Sequence, residues 1–229
     1  MKYPHYEKFS MIDYPGKHSA IVFTQGCNLR CPFCHNPSLV LPDKFDELHS
    51  DSEFFSFLEK RIGKLDAVTI TGGEPLLQDD LIGFCQRIKD LGFLVKIDTN
   101  GTLPTKLKTL VESQVVEFVA MDIKASEDKF KLAAGGFDSY DKMLESMDIL
   151  RHSGLRYEFR TTVVSGIHKV SDLAKCIDLI HPEEKYYLQP FQPGSTLRAS
   201  YRNAHTLSER DFDELRHIAE TKGIQLHIR

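Results

Sequence analysis

The sequence predicts an α/β fold, a partial (β/α)6 TIM-like barrel with parallel strands and a C-terminal helix-strand extension. Three observations lead there. Six short apolar runs rich in β-branched residues recur along the 229 residues, amphipathic helical patterns fall between them, and a last helical pattern is followed by an alternating tail. Strands that are apolar almost throughout are buried on both faces, as in parallel sheets covered by crossover helices. Six units are too few for a closed eight-stranded barrel but suit an open, curved sheet, with a doubly wound open sheet as the alternative.

The strands are expected, in order, over Ala20–Thr24, Ala67–Thr71, Phe93–Asp98, Glu117–Ile123, Glu158–Val164 and Tyr186–Phe191. Helical spacing is clearest in Leu81–Leu91, Tyr140–Leu150 and Leu173–Ile180, and Gly92 and Gly154 stand where helices commonly stop. A final helix starts at Ser208, where Asp211 three residues on completes a capping box, and runs to Gly223. Ile224, Leu226 and Ile228 then alternate as an edge strand would. Polar stretches at Leu41–Asp51 and Gln192–Thr206 read as loops, and no repeat or linker divides the chain, so one domain over residues 1–229 is expected.

Composition is ordinary for a globular protein, 41% hydrophobic and 27% charged. A net charge of -4 gives no electrostatic reason to expect a nucleic-acid or membrane partner. The N-terminal run MKYPHYEKFSMIDYPGKHS has no apolar stretch that would act as a signal peptide, and nothing approaches the roughly 18 apolar residues of a membrane span. The expected location is therefore cytoplasmic. In that reducing compartment five cysteines are better read as ligands or core residues than as disulfides. Cys85, among Leu81, Phe84 and Ile88, and Cys176, among Leu173, Ile177 and Ile180, lie on apolar helix faces and read as packing residues.

The other three, Cys27, Cys31 and Cys34, form GCNLRCPFCHN directly after the first strand. A [4Fe-4S] cube ordinarily takes four cysteines. Three leave one iron open to a small molecule, and a loop at the C-terminal end of parallel strands is where such folds build active sites. Zinc with His35 as a fourth ligand would strain the adjacent Cys34-His35 pair. CPFCH also matches the pattern of covalent haem attachment, but that leaves the third cysteine unexplained. A structural or redox thiol cluster is the remaining alternative.

Gly72-Gly73-Glu74-Pro75 ends the second strand, where glycines let backbone approach a ligand closely. Two further strands end in polar groups, Asp98-Thr99-Asn100-Gly101 and Asp122-Ile123-Lys124. Buried charges need partners. Arg160, inside the apolar strand EFRTTVV, is expected to meet a carboxylate or a polar site.

Together these pieces resemble the radical S-adenosylmethionine (SAM) superfamily, through Cys27, Cys31, Phe33 and Cys34 followed by the GGEP strand end. The longer run DYPGKHSAIVFTQGCNLRCPFCHNP is similar to the activating enzymes of glycyl radical enzymes, above all to that of the anaerobic ribonucleoside-triphosphate reductase; the likeness extends from Phe9 to about Phe191.

The resemblance implies that the open iron of a [4Fe-4S] cluster chelates the amino and carboxylate groups of S-adenosyl-L-methionine. Reductive cleavage would give methionine and a 5'-deoxyadenosyl radical, which takes a hydrogen atom from a glycine of the partner enzyme. It further implies a flavodoxin or ferredoxin type reductant and an oxygen-sensitive, anaerobic enzyme. By residue, Gly72, Gly73 and Glu74 would hold the methionyl amino group, and backbone around Phe33, Cys34 and His35 would contact adenine. Asp122 and Lys124 would engage the methionyl end; Arg160 and Asn100 belong to the same set, and a monovalent cation is implied near Asp98, Thr99 and Asp122. Where relatives carry a histidine on the last barrel strand, LQPFQPG offers Gln189 or Gln192. A small-molecule enzyme resembling 7-carboxy-7-deazaguanine synthase, or an iron-sulfur electron-transfer module, are the alternatives.

Overall fold

A computed structural model describes residues 1–229. Eight strands form one sheet in sequence order: β1 (His5–Tyr14), β2 (Lys17–Thr24), β3 (Ala67–Gly72), β4 (Leu94–Thr99), β5 (Phe118–Asp122), β6 (Arg156–Val163), β7 (Lys185–Pro190) and β8 (Gln225–Ile228). β1 runs antiparallel to β2 and every other neighbour is parallel. The sheet does not close on itself.

The six expected strands are β2 to β7, and the alternating tail is β8, paired with β7. β1 was not expected. It lies on the edge, its burial does not alternate, and its register to β2 shifts at Ser10, so its residues carry no period-2 signal.

Helices follow the strands: α1 (Pro37–Val40), α2 (Asp51–Glu59), α3 (Leu81–Asp90), α4 (Pro104–Glu112), α5 (Glu127–Ala133), α6 (Tyr140–Arg151), α7 (Val170–Ile177) and α8 (Glu209–Thr221). Their buried faces join the outward strand residues in a core of 49 side chains. Cys85 and Cys176 are both fully buried in that core. α8 starts as its sequence predicts: Ser208 Oγ accepts from the Asp211 amide while the Asp211 carboxylate accepts from the Ser208 amide. Unlike it, α2 begins at the end of a stretch expected to be loop, where Ser50 caps the Glu53 amide. α1 and α5, at four and seven residues, are too short to show a helical period clearly, and α4 was not expected either.

The inner face of the sheet differs from the outer one in chemistry. On β4, Val95 and Ile97 face the apolar core, whereas Lys96 and Asp98, alternate residues of the same strand, form an ion pair. On β6 Arg160 is the matching inward residue, bridging Asp98 and Asp122. The outer face is mostly apolar, while on the inner face the charged groups near the C-terminal edge of the sheet are paired with one another.

Candidate active site

The loop between β2 and α1 is fixed by its own backbone. Gly26 donates to the Leu39 carbonyl at 2.8 Å, and Cys34 to Cys31 at 3.0 Å. The Arg30 guanidinium donates to the carbonyls of Cys27 (2.7 Å) and Leu29 (2.8 Å). From outside, the segment after β7 folds over it: the amides of Leu197 and Arg198 donate to the Cys34 and Pro32 carbonyls at 2.9 and 3.0 Å. His35 stacks on Phe191 with ring centroids 4.7 Å apart, and its Nε2 lies 2.8 Å from the Gln192 carbonyl.

The ends of β2 and β3 are zipped together beneath this loop. Gly73 donates to Thr24 and Glu74 to Gly26, both at 2.8 Å. Gly72 has φ +110°, and a Cβ there would lie 2.5 Å from the Thr24 nitrogen; a Cβ on Gly73 would lie 2.0 Å from the Gly26 carbonyl oxygen. Backbone cannot yield as a flexible side chain does. Gly73→Ala is therefore expected to cost about 3 kcal/mol, the upper end for an overpacked site, read as a fall in urea midpoint with unchanged slope.

These elements surround a cavity of about 230 Å³ at the C-terminal end of the sheet. Cys27, Cys31 and Cys34 line it together with Phe33 and His35; Gly72 and Gly73 lie on the wall, as do Asp98, Thr99 and Asn100. Asp122, Lys124 and Arg160 complete the predicted set, and Leu29, Asn36, Val40, Thr71 and Thr162 also contribute. Thr162 was legible, since it lies two residues beyond Arg160 on the same strand face; the others carry no signal of their own.

Two expected residues are not on the wall. Glu74 is fully buried, and its carboxylate accepts from the Leu76 amide (3.1 Å), the Thr99 hydroxyl (2.8 Å) and the Asn100 amide (2.8 Å). It ties the end of β3 to that of β4. Burial pushes its carboxyl up to about 7, against the pull of those three donors. Gln189 pairs with Thr162 in the sheet and does not line the cavity; from that stretch it is the Gln192 carbonyl that reaches His35.

Across the wall runs a ladder of charges. Lys96 pairs with Asp98; Arg160 donates to Asp98 and to Asp122, each at 3.1 Å; Lys124 pairs with Asp122 at 2.7 Å. Burial opposes ionising both carboxyls, but Arg160 and Lys96 hold Asp98 below its usual range, and Lys124 with Arg160 holds Asp122 at about 2. Despite its burial, Lys124 is held more firmly protonated by Asp122. At the expected monovalent-cation position, Asp98 and Asp122 are thus already compensated by protein cations.

Burial pushes the Cys27 thiol up to about 12 and raises Cys31 and Cys34 as well. Such thiols ionise when a metal takes their proton's place. The three do not converge on a single-ion site; a four-iron cube instead bonds each cysteine to a different iron. Around Cys27 Sγ the Leu29 amide lies at 3.4 Å and the Asn100 side-chain nitrogen at 3.9 Å, donors of the kind that tune cluster thiolates. Three soft donors with amides around them fit an iron-sulfur cluster.

The family profile of the radical SAM superfamily matches residues 21–180. A protein of Methanocaldococcus jannaschii, named as a glycyl-radical enzyme activating enzyme, is 33% identical over 220 residues, covering 92% of this chain and 88% of its own. The pyruvate formate-lyase-activating enzyme of Clostridium pasteurianum is 29% identical over 197 residues, covering 81% of this chain and 79% of its own. Among solved structures, a radical SAM methyltransferase from Sphaerobacter thermophilus superposes with a TM-score of 0.73 at 17% identity, over 94% of this chain and 67% of that one. Streptococcus suis SuiB bound to S-adenosylmethionine superposes at 0.67 and 13%, over 89% and 47%. These two likenesses concern the fold. No helix is long and apolar enough to cross a membrane. The family implies a [4Fe-4S] cluster and S-adenosylmethionine as cofactors, and the chain belongs to the radical SAM superfamily as one of its glycyl-radical enzyme activating enzymes.

Proposed function

We propose that residues 1–229 act as one radical SAM domain whose substrate is a glycine of the anaerobic ribonucleoside-triphosphate reductase. One observation carries the reading: three thiols and a charge ladder ending in Lys124 share a cavity at the C-terminal end of the parallel strands. The choice of partner is supported by the run DYPGKHSAIVFTQGCNLRCPFCHNP.

When bound, a reduced cluster would supply the electron that cleaves the sulfonium carbon-sulfur bond of S-adenosylmethionine, the chemistry by which a hydrogen atom would be taken from the partner's glycine. Cys27, Cys31 and Cys34 would hold that cluster as thiolates, with the Asn100 side-chain nitrogen 3.9 Å from the Cys27 sulfur. Lys96, Arg160 and Lys124 carry three positive charges against the two negative ones of Asp98 and Asp122, so the ladder has one cation in excess. That excess suits a carboxylate, and Lys124 is the group to bind it. The amides of Gly73 and Glu74 are already donated within the protein, and no protein donor reaches the Gly73 carbonyl. An ammonium, which has only hydrogens to donate, fits that turn. Backbone at Phe33, Cys34 and His35 would meet adenine, with His35 held against Phe191.

An anaerobic mixture of cluster-loaded protein, S-adenosylmethionine, a flavodoxin or ferredoxin type reductant and the reductase is expected to show the glycyl doublet in electron paramagnetic resonance. Pyruvate formate-lyase serves as the parallel arm. A doublet there alone would reassign the partner. 5'-Deoxyadenosine without a radical on either would overturn the reading in favour of a small-molecule substrate, and exposure to air should abolish the activity.

A further inference from the structure

β5 ends at Asp122; pairing with β4 has stopped by then at Met121, while the Ile123 amide still donates to the Arg160 carbonyl of β6 at 2.7 Å. The carbonyls of Ile123 and Lys124 are held by side chains. Thr161 Oγ1 donates to the Ile123 carbonyl at 2.7 Å, and because its one proton is spent there, the Tyr186 hydroxyl donates to it at 2.6 Å. His168, in the loop after β6, is 1% exposed and lies with Nε2 at 2.9 Å from the Lys124 carbonyl. Its Nδ1 accepts the Val164 amide at 3.0 Å. A ring nitrogen that accepts carries no proton, so the single proton of the neutral ring is on Nε2, donated to Lys124.

We propose that His168 is a positioning residue for Lys124: a neutral imidazole that clamps the lysine's carbonyl and so fixes where its ammonium meets the ligand carboxylate. Thr161, backed by Tyr186, clamps the preceding residue in the same way. The inference rests on the assignment of Lys124 as the carboxylate-binding group. Asp122, itself held by Arg160, fixes the far end of the lysine side chain; His168 fixes the near end. Without it, the backbone at the end of β5 has one anchor in place of two, and the ammonium loses its aim while keeping its charge. A protonated ring would offer Val164 a second donor in place of an acceptor, and burial keeps the imidazole neutral by pushing its pKa down.

The test compares cluster-loaded wild-type, His168→Leu and His168→Gln proteins for S-adenosylmethionine affinity by equilibrium dialysis. His168→Leu is expected to weaken binding about tenfold, the worth of one buried hydrogen bond lost beside a charged network. Turnover at saturation should stay within about twofold of wild type, since binding and chemistry are separable in this way. Glutamine, which supplies both a donor and an acceptor, should restore affinity to within about threefold of wild type. Nitrogen-15 resonances of the imidazole in the cluster-free protein should show a protonated Nε2 and an unprotonated Nδ1. A ring protonated on Nδ1 would overturn the inference. So would a leucine variant that binds like wild type, or a glutamine variant that fails to rescue. Wild-type protein that loads a cluster yet binds no S-adenosylmethionine would overturn the proposed function instead, while the imidazole resonances would still decide the clamp.

Discussion

Cys31→Ala is expected to abolish cluster loading and reductive cleavage of S-adenosylmethionine while leaving the fold in place. Cys31 is buried and its thiol is held protonated by that burial, so the cluster-free protein loses a small apolar group and no charge. The cost of that loss is about 1 kcal/mol. Against a cluster the same change removes one of three ligands. The control is the reverse case: Cys85 and Cys176 are fully buried among apolar side chains, and alanine at either should cost about 1–2 kcal/mol of stability as a small cavity, with iron content unchanged. Iron and sulfide analysis with thermal melts of all three variants separates the two classes. A Cys31→Ala protein with wild-type iron and a cluster spectrum would remove the cysteine assignment.

The contrast between these cysteines was legible before any coordinates, because spacing distinguishes a loop of ligands from a helix face. Asp98, Asp122, Lys124 and Arg160 were legible for a different reason: charged residues in apolar strands must find partners, and here they find each other. Lys96 went unremarked although it stands two residues before Asp98 and so on the same strand face; a single lysine in LVKIDT is ordinarily read as surface. Glu74 shows the opposite failure. Its motif singled it out, but spacing cannot say whether a carboxylate faces the cavity or turns inward to bind Thr99 and Asn100. The hold on Lys124 by His168 crosses 44 residues of sequence and has no local pattern. β1 escaped because an edge strand need not alternate, and its exposed Met11 and Ile12 blur the one signal a strand has.

Arg160→Met is expected to destabilise the protein by about 3 kcal/mol at neutral pH, the lower end for stripping one partner from buried charges. The lower end applies because Asp98 keeps Lys96 and Asp122 keeps Lys124. For a chain of this length the melting temperature should fall by roughly 6–12 °C. Lysine at this position keeps the charge but cannot reach two carboxylates as a planar guanidinium does, so Arg160→Lys should fall between the two. The pH dependence identifies the cause. Asp98 and Asp122 are held below their unfolded pKa, so the stability they contribute is present above about pH 4 and is lost as the pH falls towards 2. The gap between wild type and Arg160→Met should therefore be widest near neutrality and narrow through the acid range, because protonated carboxyls no longer need the arginine. Urea unfolding of both proteins at several pH values measures this directly. A constant gap down to about pH 2.5 would mean that Arg160 matters for its packing, and that the ladder does not hold Lys124 in place through charge.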